Sequence, residues 1–165
     1  FESAEGIGTT FVIRVPFKID LDADKREESK DVSEKSIKGM HVLLAEDNEL
    51  NMEIAEFLLQ NEGAEVTKAW NGQEIVELFR KSEAGEFDVI LMDIMMPVMN
   101  GYEATKMIRS LDREDAKKIP IIAMTANAFT EDRIRAKEAG MDEHVAKPID
   151  VELLIKVIHK LVKHN

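Results

Sequence analysis

From residue 40 onward the chain alternates between short apolar runs and longer stretches whose apolar residues recur every three or four positions. His41-Val42-Leu43-Leu44-Ala45 predicts a first strand, and the helix after it carries Met52, Ile54, Ala55, Leu58 and Leu59 before stopping at Gly63. Ala64 to Trp70 predicts a second, weaker strand, and Asn71-Gly72 turns into a helix with Ile75, Leu78 and Phe79 inward. Val89 to Met92 is an unbroken apolar run ending in one carboxylate, Asp93, after which Pro97 breaks the chain and Asn100-Gly101 turns it. A strand covered on both faces reads this way. A helix with Ala104, Met107 and Ile108 comes next, then a fourth strand, Ile119 to Met124, ending in Thr125-Ala126-Asn127. A charged helix from Thr130 to Ala139 closes at Gly140, Asp142 to Ala146 predicts a fifth strand, and Asp150 caps a last helix with Leu154, Val157, Ile158 and Leu161. Five strand-helix units in succession predict an α/β fold: a doubly wound parallel sheet with right-handed crossovers and helices on both faces.

The first part of the chain reads differently. Gly6-Ile7-Gly8-Thr9-Thr10 predicts a glycine turn, and Phe11-Val12-Ile13-Arg14-Val15 a strand stopped by Pro16. Residues 18–38 mix charges with few apolar side chains, too little burial to offset the entropy of ordering, and predict a charged linker. The expected divisions are 1–17, 18–38 and 39–165. Composition narrows the function: 33 acidic against 22 basic residues give a net charge of −11, which argues against nucleic acid as a partner, since phosphate backbones need a basic surface. The absence of cysteine removes disulfides, thiolate metal sites and thiol nucleophiles. No apolar stretch reaches the length of a bilayer span and no signal peptide is visible, so this segment is expected to make no membrane contact. The chain begins at Phe1, not Met, and is expected to be a piece of something longer.

The carboxyl ends of four strands each deliver polar groups: Glu46 and Asp47, Asp93, Thr125, and Lys147. Ligands of open α/β sheets bind at that edge. Three carboxylates brought together repel, so either one holds a proton or a cation is present. Oxygen ligands with no His or Cys nearby suit Mg²⁺. A carboxylate can attack phosphorus to give an aspartyl phosphate, and such transfer needs positioning and charge neutralisation, which Mg²⁺ and a lysine supply. Plainer alternatives stand beside each residue. Glu46 and Asp47 could cap the first helix, Lys147 could be a solvated side chain before a turn, and Thr125 a satisfied strand-end hydroxyl. The methionines at 92, 95, 96 and 99 read as packing, not as a metal box.

Over residues 39 to 163, the motifs L-L-A-E-D-N, L-M-D-I-M-M-P-V-M-N-G, A-M-T-A and V-A-K-P-I, in that order and spacing, resemble the receiver domain of two-component response regulators. The resemblance implies a flavodoxin-like strand order 2-1-3-4-5. It also implies Mg²⁺, with Asp93 as phosphoacceptor and ligand, Asp47 binding directly, Glu46 acting through water, and the Met95 carbonyl as third protein ligand. Lys147, before a cis bond to Pro148, would hold a phosphoryl oxygen; Thr125 would donate to the phosphoryl group, and small Ala126 would leave it room. His144 stands where the family commonly has Tyr or Phe, so Thr125 and His144 are the expected switch pair; a part-exposed strand residue with no switching role is the alternative at 144. S-A-E-G-I-G-T-T-F-V-I-R-V-P resembles the tail of the ATP-binding lobe of sensor histidine kinases, and without that lobe's earlier boxes no ATP binding or kinase activity is expected. The two resemblances imply the carboxy-terminal part of a hybrid sensor histidine kinase. Asp93 would take a phosphoryl group from a phosphohistidine domain and relay it to a histidine phosphotransfer protein or switch conformation. The domain would catalyse its own phosphorylation and slow dephosphorylation in the cytoplasm, with membrane anchoring of the full-length protein left open. The alternatives are the receiver of a free-standing regulator and a Mg²⁺-dependent aspartyl-phosphate phosphohydrolase. Haloacid-dehalogenase-type enzymes put a second acid two residues past the nucleophile, where Met95 stands here.

Overall fold

A computed structural model describes residues 2–4, 8–10, 36–126 and 130–162, which belong to two units, Phe1–Asp31 and Val32–Asn165. In the first, β1 (Glu2–Ala4) and β2 (Gly8–Thr10) form an antiparallel pair with Glu2 opposite Thr10. Gly8 to Thr10, expected as part of a turn, are strand residues. The strand expected at Phe11 to Val15 lies outside the described residues, as does most of the expected linker.

The second unit runs β3 (His41–Ala45), α1 (Glu49–Asn61), β4 (Glu65–Ala69), α2 (Gly72–Lys81), β5 (Val89–Asp93), α3 (Gly101–Arg109), α4 (Glu114–Lys118), β6 (Ile121–Thr125), α5 (Thr130–Ala139), β7 (Glu143–Ala146) and α6 (Val151–Val162). Its sheet has the order β4-β3-β5-β6-β7, parallel throughout, which is 2-1-3-4-5 counted within the unit. Every residue of β5 and β6 is buried, the reason these strands read as continuous apolar runs. Strand periodicity sends alternate side chains to two half-cores. Leu43, Ile90, Met92 and Ile121 join Ile75, Phe79 and Ile108 on one face; Val42, Leu44, Leu91 and Ile122 join Met52, Leu59, Leu154 and Ile158 on the other. Each such burial is worth roughly 1.5–3 kcal/mol. Ile37, within the stretch expected as linker, is fully buried in the second half-core. Among the described residues no helix is long and apolar enough to cross a membrane.

Several expectations are corrected. β6 starts at Ile121, not Ile119, and α4 was not foreseen because Ala116 is its one buried residue in a charged stretch. Ile54 and Met107, counted with the apolar positions of their helices, are exposed. The last helix is capped as expected, with Asp150 Oδ1 accepting from the Leu153 N–H at 3.1 Å. Gly140, at φ 99°, ends α5 in the left-handed region that favours glycine.

Two arginines tie the helix ends together. Arg109 donates to the carbonyls of Ala116, Ile119 and Gly140 and to Asp142. Arg113 donates to the carbonyls of Phe79, in the last turn of α2, and of Ser82 and Glu83 just beyond it, and lies 4.6 Å over the Phe79 ring. It also grips Asp115 with two hydrogen bonds, at 3.0 and 2.6 Å. That hydrogen bond, opposed by burial and helped by the Gly85 N–H, pulls the Asp115 carboxyl down to about 2. A depressed folded value means that the contribution of Asp115 is fully present above the unfolded value of 3.8 and is lost as pH falls through about 2. Arg113→Ala is expected to cost about 1–3 kcal/mol near neutrality. It should also return Asp115 to the ordinary carboxylate range. Denaturant melts across that acid window, with carboxyl titration by NMR, check it: parent and variant should converge as pH falls.

Candidate functional site

The parallel register decides which side chains meet. Ala45 lies opposite both Ala69 and Met92, so the next residues, Glu46 and Asp93, emerge side by side at the carboxyl edge. Asp93 lies opposite Met124, and Thr125 opposite Ala146, which brings the ends of β6 and β7 to the same edge. Glu46, Asp47 and Asp93 offer oxygens that all lie within 4.8 Å of one another. Glu46 and Asp93 are only 2% and 5% exposed, whereas Asp47 faces solvent. Lys147 Nζ bridges them, donating to Glu46 Oε2 and to Asp93 Oδ2, the latter at 2.6 Å. The Lys147–Pro148 peptide is cis, and the Lys147 N–H donates to the Thr125 carbonyl at 2.8 Å.

Burial raises the Asp93 pKa, and the neighbouring Glu46 charge adds to it; the Lys147 ammonium and the Met95 N–H, 3.1 Å from Oδ1, pull it back only in part. For Lys147, burial works against the charge, yet its hydrogen bonds to Asp93 and Glu46 prevail and its pKa is raised. One ammonium thus pairs with two of the three carboxylates. All the donors are hard oxygens and two of the carboxylates are buried, a set that fits a divalent cation such as Mg²⁺.

The capping alternative for Glu46 and Asp47 is not what the structure shows, because the cap is Asn48, whose side chain accepts from the Asn51 N–H at 3.1 Å. Glu46 Oε1 instead accepts from the Asn51 side-chain amide at 3.0 Å and the Asn48 N–H at 3.4 Å. Asn51 was missed as a site residue. Its signal was the spacing of an asparagine three positions past a helix-capping asparagine, which points both at the chain end. Met95 follows Asp93 by two residues with its side chain 78% exposed. Thr125 is buried at the end of β6. His144 does not join the acidic group: it lines a cleft of about 360 Å³ with Arg133, Ile134, Lys137 and Glu143, its Nδ1 3.2 Å from Glu143 Oε1.

Comparison with known proteins places this geometry. The family model "Response regulator receiver domain" matches residues 42–159. Histidine kinase 1 of Arabidopsis thaliana is 35% identical over 161 residues, covering 79% of this chain and 13% of that protein. The polar-differentiation response regulator DivK of Brucella anthropi is 38% identical over 117 residues, covering 71% of this chain and 91% of DivK. The chain therefore spans a small part of the kinases it matches, 7% in the case of a Dictyostelium discoideum hybrid kinase, and nearly the whole of a free-standing regulator. Among solved structures, the receiver domain of sensor histidine kinase PA1611 from Pseudomonas aeruginosa, with magnesium coordinated in its active-site cleft, has a TM-score of 0.68 and 36% identity over 76% of this chain and 98% of that one. The Saccharomyces cerevisiae receiver of Ssk1, co-crystallised with the phosphotransfer protein Ypd1, has a TM-score of 0.66 and 28% identity over 76% of this chain and 90% of that one.

The raised pKa of Asp93 makes a stability prediction with a definite sign. Because the folded value lies above the unfolded 3.8, ionised Asp93 costs stability above that folded value, and the cost is relieved as pH falls through it toward 3.8. Asp93→Asn is expected to raise Tm in metal-free buffer at neutral pH, with the gain shrinking across that window. Calorimetric melts without divalent ions, at several pH values, check it.

Proposed function

The chain belongs to the response regulator receiver family, and from that premise we propose that it accepts a phosphoryl group on Asp93 from a phosphohistidine. A buried carboxylate, held between an ammonium and two further acids, carries this reading. In the transfer, an Asp93 oxygen attacks phosphorus, the phosphorus–nitrogen bond to imidazole breaks, and the imidazole nitrogen keeps the bonding pair and takes a proton. Asp93, Asp47 and the Met95 carbonyl would hold Mg²⁺, with Glu46 acting through water. When bound, the ion neutralises the carboxylates and the phosphoryl oxygens in flight. Lys147 exchanges one of its carboxylate partners for a phosphoryl oxygen, Thr125 donates to another, and small Ala126 leaves room. The Met95 N–H holds Oδ1 of Asp93, and Oδ2, which Lys147 holds, is the oxygen that reacts once the ammonium turns to the phosphoryl group.

The phosphoryl group adds about −1.5 to −2 charges at this edge, which biases the domain between two conformations, with Thr125 and His144 as the switch pair. A hybrid sensor kinase is the parent we favour, supported by the kinase names among the relatives and by the lobe-like residues 1–17. A free-standing regulator is the second reading, favoured by the near-complete coverage of DivK. A cytoplasmic histidine phosphotransfer protein is the proposed relay partner. Leu50, Ile54 and Phe57 form an exposed apolar stripe on α1, and Ile54 lines the same cleft as Glu46, Lys147 and Pro148. This stripe is where such a partner would dock.

Incubation with MgCl₂ and acetyl phosphate, followed by intact mass, is expected to add one phosphoryl group to the parent and none to Asp93→Asn. A parent that gains nothing, and binds no beryllofluoride either, would falsify the phosphoacceptor reading. For the docking stripe, Phe57→Glu is expected to slow transfer from a phosphorylated histidine phosphotransfer protein at least about tenfold, a loss within the range for an interface hot spot. Its labelling by acetyl phosphate should stay at the parent rate.

A further inference from the structure

We propose that Gly72 is a positioning residue for the loop that carries the acceptor, holding residues 94–100 in the backbone path that presents Asp93 and Met95 to a divalent cation; the inference rests on the phosphoacceptor reading. The loop is pinched at its base. The Gly101 N–H donates to the Ile94 carbonyl at 3.0 Å, and a Cβ on Gly101 would lie 2.2 Å from the Asp93 carbonyl oxygen. At its tip the Met99 N–H donates to the Pro97 carbonyl at 2.7 Å, a γ-turn centred on Val98 at φ 69°. A β-branched residue is strained there, and such a backbone persists only where its surroundings over-determine it.

What over-determines it comes from a different strand-helix unit. The Gly72 N–H, at the start of α2, donates to the Met99 carbonyl at 3.1 Å. A Cβ on Gly72 would lie 2.3 Å from that oxygen and 2.9 Å from its carbon. Both are backbone atoms, which cannot swing aside as the end of a flexible side chain does. Gly72 is outside the left-handed region, so its own conformation would accept a methyl group and the loop alone forbids one. At the other end of the loop the Met95 N–H is bonded to Asp93 Oδ1, so pushing Met99 away moves the acceptor carboxylate together with the Met95 carbonyl. Gly72 thus acts on the site at one remove, as the wall against which the loop is set.

The test compares the parent, Gly72→Ala and Gly85→Ala by calorimetric titration with MgCl₂, by acetyl phosphate labelling and by thermal melts. Gly85 has a positive φ and open space around it, so its alanine variant loses stability without touching the loop. Gly72→Ala is expected to weaken Mg²⁺ binding about tenfold or more, the scale seen when outer partners of metal ligands are removed. Labelling at subsaturating Mg²⁺ should slow with it, while Gly85→Ala keeps the parent Kd. A Gly72→Ala affinity within about twofold of the parent, or an equal loss in Gly85→Ala, overturns the proposal. A second readout needs no variant, since coupling is reciprocal. Saturating MgCl₂ should slow hydrogen exchange at the Gly72 amide of the parent about fivefold or more, and unchanged exchange overturns the proposal even if Gly72→Ala does not fold. A parent that neither binds Mg²⁺ nor takes a phosphoryl group would instead defeat the phosphoacceptor reading itself, and with it the premise for Gly72.

Discussion

Three carboxylates crowd one edge of the sheet with a single ammonium among them, and much of the local architecture answers to that imbalance. Two like charges 4 Å apart repel by about 4 kcal/mol at an effective dielectric constant near 20. The chain tolerates them because the buried oxygens have donors: Lys147, Asn51 and the Asn48 N–H on Glu46, and Lys147 and the Met95 N–H on Asp93. These donors partly offset burial and repulsion, and the Asp93 pKa stays raised, by burial first and by the Glu46 charge after it. A site short of positive charge, with hard oxygens already gathered, suits a divalent cation. The ligand preference and the folding penalty are therefore one electrostatic fact seen from two sides. Against a marginal net stability, such a penalty is borne only by a well-filled core.

Parallel topology explains why the cluster could be found in the sequence at all. In this sheet every strand runs the same way, so the residue that ends each apolar run lands at the same edge as its counterparts. Asp93, Glu46, Thr125 and Lys147 were legible because each follows such a run. Asp150 as the cap of the last helix and the glycine that closes α5 were legible from local pattern too. What escaped depends on distance in the chain or on backbone path. Asn51 bonds Glu46 from within α1, Arg109 reaches residues up to 33 positions away, and Arg113 reaches back 34 to Phe79. The γ-turn at Val98 has no periodic signature either, since valine is the last residue its φ would suggest. Ile54 and Met107 escaped in the opposite sense: periodicity marks apolar positions but cannot say which of them the fold leaves uncovered.

The helices are not held alike. α2 is fastened at both ends, by Asn71 at its cap and Arg113 at its last carbonyls, and it is the helix whose first residue meets the loop after Asp93. α5 has a different anchorage. Of its side chains that are described, Ala136 and Ala139 are buried while Ile134 is 53% exposed, and Arg109 grips the Gly140 carbonyl just beyond its end. Small residues bury little apolar area, so packing contributes less to holding α5 than it does for α2. On the proposed reading, a firmly held wall beside Asp93 and a lightly packed α5 suit a domain that keeps its chemistry in register while another part of it responds.

Charge also constrains how any phosphodonor could approach. The chain carries a net charge of −11, the edge that holds Asp93 is acidic, and on the proposed reading the group to be received is itself an anion, so long-range electrostatics oppose the encounter. Screening confines that opposition to distances of about 8–10 Å at ordinary ionic strength. Inside that distance something other than charge must hold the donor in place. Leu50, Ile54 and Phe57 supply an apolar surface of the needed kind, and Ile54 shares a cleft with Glu46 and Lys147. Apolar burial does not depend on the sign of charge, so it can hold the donor against this acidic domain long enough for a cation and one lysine to manage the charge at the reacting atoms. On the proposed reading, the exposed leucine, isoleucine and phenylalanine of α1 are thus not a defect of an otherwise polar surface. They are the attraction that the electrostatics of the site cannot provide.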